Sequence, residues 1–406
     1  MKQSYLLALF FLVSVVYGKK ISYQEAENIA LKWISKQTKL SKKVAPDIAY
    51  GSYKHNMRLV SDSKKPYYIF NLEGGGWIIV ADDDINSKIL AYSEKSSLDP
   101  NNLPPQFKWW LDGVSKELNS AKRVAKSKRV YRSLSSKPQM AYATVPNAKD
   151  SVGPLLKSNW GQGRGYNEYC PKDSRSIEGN GHVPAGCVAV AMAQIMNYYA
   201  WPPKGWGANS YIPPSNPQYG RQSVNFADTS YNWSNSSASK VIYHAGVSVN
   251  MDYGPYGSGA YITNAQNALR GNFGYSTSSV TAKYSDSQWD SMLINSLNQN
   301  RLVLYQGKGE IVHVFVCDGY KKVEDGYMYH FNWGWGGRAN GWFRIGAMTP
   351  FGNRSFNRSN YAIFDIYPSD PSYNLDVKRA RASINIYVAF LFIFILLAPI
   401  YRGFRE

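Results

Sequence analysis

The apolar residues fall into three kinds of pattern, each predicting a different fate for its segment. Residues 1–18 open near Lys2, run apolar from Tyr5 to Tyr17 and end on Gly18. A charged start, a short apolar stretch and a small final residue predict a secretory signal peptide removed after Gly18. At the other end no charge occurs between Arg381 and Arg402, and Ile384–Tyr401 is almost wholly apolar. That span reaches the ~17–25 residues needed to cross the hydrocarbon core, so 384–401 is expected to be a transmembrane segment. Residues 370–383 then form a juxtamembrane linker and 402–406 a cytoplasmic tail. Arg402 and Arg405 agree with that orientation, while Lys378, Arg379 and Arg381 on the other flank weaken it. The signal peptide therefore sets the orientation, with the folded part outside the cell.

Between the ends the periodicity is that of folded domains. Ile29, Leu31, Trp33 and Ile34 give 21–37 an amphipathic helical pattern. Strand patterns at Tyr67–Leu72 and Trp77–Ala81 are joined through Glu73–Gly76, a hairpin signal, and Ile89–Ser93 predicts a third strand. A proline-limited helix follows over 104–118, closing a small α+β domain at 19–118. Farther on, Pro184-Ala185-Gly186-Cys187 leads into a helix of good formers over 188–200, stopped by Trp201-Pro202-Pro203. Strands are predicted at 301–305, 311–319, 326–332 and 341–345, with weaker helical patterns at 228–250 and 260–271. These form a second α+β domain over 152–369.

Length agrees with two domains, since 406 residues exceed the ~250–300 at which single cores stop growing. The net charge of +18 is unevenly spread. From Asn119 to Lys149 there is no acid, while Lys122, Arg123, Lys126, Lys128, Arg129, Arg132 and Lys137 crowd together. Like charges repel and stay solvated, so 119–151 is expected to be a linker carrying a processing site. Few aromatics interleave with this charge and the signal peptide leads out of the cytoplasm, so no nucleic-acid partner is expected. Three cysteines exclude a disulfide scaffold and a four-cysteine zinc site. Neither a phosphate-binding glycine loop nor a metalloprotease or calcium-loop motif occurs, so no cofactor or metal is expected.

Cys187 is the most informative residue. A thiol at the first position of a helix faces unsatisfied N–H groups and the positive end of the dipole, which favour the nucleophilic thiolate. His313 sits near the start of an apolar strand, sharing one face with Phe315 and Cys317 by alternation. A helix-initial Cys with a downstream strand His is the layout of a Cys–His hydrolase. Asn332-Trp333-Gly334-Trp335-Gly336-Gly337 could orient and shield an imidazole, and Trp160-Gly161-Gln162 could deliver an amide N–H to an oxyanion.

Together these segments resemble the streptopain family of papain-like cysteine proteases. The matching motifs are Gly186-Cys187-Val188-Ala189 with Gln194-Ile195-Met196, Met251-Asp252-Tyr253-Gly254-Pro255, Asn272-Phe273-Gly274-Tyr275, Tyr305-Gln306-Gly307 followed by His313, and Asn332–Gly337. Gly76–Asp83, Ile89–Ser93 and Leu103–Leu111 resemble the family's inhibitory propeptide. The resemblance implies a papain-like protease fold preceded by a small α+β propeptide domain. It makes Cys187 the nucleophile, His313 the general base and acid, Gln162 the oxyanion glutamine and Trp333 the third position, with Asn332 beside it. Where the family has two glycines before the histidine, this chain has Ile311-Val312, and the C-terminal apolar span is outside the family pattern.

The expected function is a secreted, membrane-tethered cysteine endopeptidase made as a zymogen, acting on protein or peptide substrates and inhibited by its own propeptide. Two rival readings are a different Cys–His acyl hydrolase or transferase, such as a cell-wall amidase or transglutaminase, and an inactive surface adhesin on the protease shell.

Overall fold

The computed structural model describes residues 19–41, 57–61, 64–72, 75–84, 87–95, 97–127, 145–233, 237–281, 286–308, 312–345 and 361–373. The expected signal peptide, membrane span and tail lie outside them. Among the described residues no helix is long and apolar enough to cross a membrane.

The N-terminal part is a four-stranded antiparallel sheet between two helices. Helix α1 (Tyr23–Ser41) places Ala26, Ala30 and Ile34 four residues apart, and this stripe packs against Phe70, Ile78 and Val80. Strands β1 (Met57–Leu59), β2 (Tyr67–Leu72), β3 (Trp77–Ala81) and β4 (Ile89–Ser93) pair in chain order. Gly76, at φ +108°, brings the β2–β3 turn so near β4 that a Cβ there would lie 2.7 Å from the Ser93 carbonyl oxygen. Helix α2 (Pro105–Ser127) starts on a proline, whose missing N–H has no partner to lose in a first turn. It buries Phe107, Trp110, Leu111, Val114 and Leu118 on the sheet's other face.

This helix departs from the sequence reading, which began a linker at 119. It runs to Ser127 because its basic charge finds partners: Lys122 sits 2.5 Å from Asp82 and 3.4 Å from Asp83. The far end of that stretch is also engaged. Val145 is buried, with its N–H donated to the Tyr327 hydroxyl, and the Lys149 N–H donates to Tyr320 at 2.8 Å.

The C-terminal part contributes β5 (Ser151–Val152), α3 (Cys187–Tyr199), β6 (Ala208–Tyr211), β7 (Gln222–Asn225), α4 (Ala238–Ser248) and α5 (Ile262–Gly271). It continues through β8 (Tyr275–Thr281), α6 (Asp286–Asn298), β9 (Val303–Lys308), β10 (Val312–Val323), β11 (Gly326–Asn332), β12 (Gly341–Phe343) and β13 (Tyr361–Pro368). Strands β8 and β13, the β6–β7 pair and helix α6 are additions to the sequence reading. Among the described residues of 228–250, the α-helix covers Ala238–Ser248. In α3 every residue from Val188 to Met196 is buried, so no polar stripe marks the helix's outer side.

The two parts are fused into one sheet. Its order is β1-β2-β3-β4-β12-β11-β10-β9-β13-β8, with β5 pairing β10. At the seam Tyr92 pairs with Trp342 and Ala91 with Phe343. Side chains reinforce it. Phe107 makes ring contacts with Trp77, Trp333 and Phe343, and the Trp110 Nε1–H donates to the Arg344 carbonyl at 3.3 Å. The Arg344 Nε–H donates to the Ile89 carbonyl at 2.8 Å, and the Ser87 hydroxyl donates to Asp325 at 2.6 Å. One continuous core under α2 and α6 therefore spans both parts, while α3, α4 and α5 cover the opposite face of the C-terminal strands.

Candidate active site

Cys187 opens α3, and the residue before it explains how. Gly186 has φ +90°, and a Cβ on it would meet Met251 Sδ at 2.6 Å and the Ser258 carbonyl oxygen at 3.1 Å. Only glycine turns the chain there without strain. Around the Cys187 thiol, the backbone N–H groups of Val314 of β10, of Val188 and of Cys187 itself act to pull its pKa down. Burial outweighs them, and the thiol is pushed above its ordinary value. The helix N-terminus alone predicted the opposite direction.

His313 is the residue before Val314 on β10. Alternation along β10 holds: Val314 and Val316 join the core under α3, and Phe315 and Cys317 join the core under α2 and α6. His313 falls on the second face. Neither ring nitrogen has a hydrogen-bond partner among the described residues, and burial pushes the imidazole down to about 4. A thiol pushed up and an imidazole pushed down are both neutral near pH 7.

The reason for the burial lies in α2. Gly307 of β9 pairs directly with His313, so the two share a face. The position a Cβ would take on Gly307 lies 2.4 Å from Trp109 Cη2 and 2.5 Å from Cζ3. The Trp109 indole thus stands on the strand pair at the histidine. In the sequence Trp109-Trp110 reads as an ordinary apolar pair. Only their offset of about 100° around the helix hints that one enters the N-terminal core while the other covers something else.

Gln162 is buried, and its carbonyl accepts from the Ala185 N–H at 2.9 Å, tying it to the approach to Cys187. Asn332 holds this wall in place. Its amide donates to the Ser158 carbonyl at 3.0 Å and its oxygen accepts from Gln194 and from the Gly334 N–H. Gln194 in turn accepts from Ser158 and from the Trp160 N–H. Asn332 therefore bonds to the wall formed by Ser158, Gln194 and Gly334 rather than to the imidazole. Trp333 is fully buried among Phe315, Phe331 and Phe343, with its Nε1–H donated to the Ala339 carbonyl at 2.9 Å. Trp335, from the following glycine-rich loop, is partly buried with no partner for its Nε1–H among the described residues. That loop docks on the wall through the Gly336 N–H and the Trp160 carbonyl.

The remaining histidines among the described residues are committed elsewhere. His182 pairs with the Cys170 carbonyl, His330 with Asp318 and His244 with the Tyr231 hydroxyl. Cys170 and Cys317 are buried free thiols. Among the described residues no group of three or more His, Cys, Asp or Glu side chains is arranged to hold a metal.

The peptidase C10 family profile matches residues 160–343, and the Spi protease inhibitor profile matches residues 18–118. Streptopain of Streptococcus pyogenes serotype M28 is 31% identical over 382 residues, covering 85% of this chain and 91% of that protein. The thiol protease/hemagglutinin PrtT of Porphyromonas gingivalis is 30% identical over 311 residues, covering 70% of this chain and 34% of its own length. Among solved structures, a fragment of Prevotella intermedia prointerpain A with a cysteine-to-alanine substitution superposes with a TM-score of 0.62. It is 29% identical and covers 77% of this chain and 98% of that one.

Proposed function

This chain belongs to the peptidase C10 family, the streptopain family of cysteine peptidases made with an inhibitory propeptide, and from that premise we propose how its residues act. Cys187 is the nucleophile and His313 the general base and acid. The carrying observation is that the backbone N–H of Val314, the residue after His313, lies near enough to the Cys187 thiol to act on its pKa, which sets the histidine's strand against the mouth of α3.

In the active enzyme His313 takes the thiol proton and the thiolate attacks the scissile carbonyl carbon. The tetrahedral oxyanion is held by the Gln162 amide and the Cys187 backbone N–H. The imidazolium then protonates the departing amine, leaving a thioester on Cys187. Water, deprotonated by His313, hydrolyses that ester and restores the thiol. Asn332 positions the Gln162 wall, and Trp333 fills the core behind the histidine.

The proenzyme is latent for a physical reason. Helix α2 covers the His313 face, both reactive groups are desolvated, and the ion pair has no solvent or counter-charge to form with. Release of α2 bares the imidazole so that it can turn toward the sulfur. Export through residues 1–18 and tethering through 384–401 complete the reading, and alkaline carbonate extraction of membranes tests the tether.

The deciding experiment is a pair of variants with a thiol-directed probe. Cys187→Ser should lose both peptide hydrolysis and labelling, because a hydroxyl has no comparable anion population at neutral pH. Labelling that persists in the mature Cys187→Ser protein would place the reactive thiol at Cys170 or Cys317 and remove the assignment.

A further inference from the structure

Gly163 directly follows the oxyanion glutamine, and the space beside it is not empty. The position its Cβ would take lies 1.9 Å from Glu178 Oε2 and 2.7 Å from Cδ, so the Glu178 carboxylate occupies the place of a side chain at 163. Glu178 is half-buried, on the loop whose Ile177 N–H is bound to the Pro255 carbonyl at 3.1 Å. Among the described residues no donor hydrogen-bonds its carboxylate. Arg338 acts on it only as a nearby charge, lying over Trp335 and donating to Asn102 of the propeptide at 3.3 Å. Burial raises the carboxyl's pKa, as expected of an acid without bonded partners.

We infer that Glu178 is a specificity-determining residue, receiving a lysine or arginine on the substrate residue that supplies the scissile carbonyl. This role follows from position in the site and rests on the proteolytic reading above. With the scissile carbonyl oxygen held at Gln162, the α-carbon of that residue lies one bond from the reacting carbon. A long side chain there runs past Gly163 to the carboxylate. A half-buried acid with unused lone pairs attracts a cation more strongly than one in open water. The chain also presents a matching substrate. The segment joining propeptide to protease has no acid and carries Lys128, Arg129, Arg132 and Lys137. Acids are the scarcer charge in this chain, 28 against 46 basic residues, so a lone carboxylate at the oxyanion wall stands out from its background.

The test uses enzyme matured from the full chain and peptides differing only at the residue before the cut: Arg, Lys, Gln or Glu. Ratios of kcat/KM within one preparation cancel differences in folded, active fraction. Wild type should prefer Arg and Lys over Gln by about tenfold, the scale of one partly solvated ion pair. Glu178→Gln should bring the Arg-to-Gln ratio near one. Glu178→Arg should invert the order and favour Glu, a gain that loss of structure does not produce. A wild-type ratio near one, an unchanged ratio in Glu178→Gln, or a basic preference confined to the residue after the cut overturns the inference while leaving the protease reading intact. No hydrolysis of any peptide overturns both.

Discussion

The contact between Trp109 and Gly307 can be tested from the protease side alone. Gly307 lies in a strand and its φ is outside the left-handed region, so alanine is acceptable to the backbone. Its added methyl would sit 2.4 Å from the indole in the proenzyme, whereas carbon atoms rest at about 3.5–4.0 Å. The indole must move by more than about 1 Å, and α2 moves with it. Overpacking of this kind costs about 1–3 kcal/mol, which weakens binding by about 5- to 150-fold. The assay is inhibition of mature Gly307→Ala enzyme by wild-type propeptide added in trans, with Ki referred to each enzyme's own uninhibited rate. The propeptide is unchanged, so its own folding cannot account for a weaker Ki. A Trp109→Ala propeptide should then inhibit the Gly307→Ala enzyme better than wild-type propeptide does, because the methyl fills the space the ring has left. Equal inhibition of Gly307→Ala and wild-type enzyme by the wild-type propeptide would refute the seating of Trp109 on the strand paired with the histidine's.

Three further outcomes are expected. Because burial lowers His313 to about 4 under the propeptide while a solvated imidazole titrates near 6.5, the released enzyme binds more protons. Propeptide affinity should be fully present above pH 6.5 and fall by at most about tenfold per pH unit toward pH 4, read as Ki against pH. In a Cys187→Ala background, Trp333→Ala should lose about 3–5 kcal/mol and Asn332→Ala about 1–3 kcal/mol in denaturant unfolding, the first from an emptied aromatic core and the second from unpaired polar groups. Full-length Cys187→Ala should stay uncut in purified form, while wild type should mature with its first residue between 128 and 145, as found by mass spectrometry. A wild-type start inside α2 or within 146–151 would count against that window, because α2 is helical and 146–151 is held to the protease by backbone hydrogen bonds to Tyr320 and β10.

What the sequence made legible was local. Cys187 could be read from the glycine before it and the helix after it, and His313 from the alternation of β10, because both signals lie within a few residues. The strands of the propeptide hairpin were legible for the same reason. The protonation state at the site was not, since it depends on Trp109 arriving from a distant helix. The role of Asn332 was hidden likewise: adjacency to Trp333 suggested the imidazole, whereas its amide is spent on Ser158, Gln194 and Gly334. Charge misled at Lys122, whose carboxylate partners come from the end of β3 and the turn after it.

The join between β4 and β12 is the narrowest line across the sheet, with only two residue pairs in register. Each backbone hydrogen bond there contributes about 0.5–1.5 kcal/mol net, so the ladder itself holds weakly and the aromatic side chains supply most of the grip. Such a line parts as a perforation does: neither half must unravel to let the other go. What it leaves behind is also short. The bared β12 is a three-residue edge followed directly by Arg344, too brief and too charged to recruit a strand from a neighbouring molecule. The shortness that lets the propeptide leave thus also protects the enzyme from sticking to its own kind afterwards.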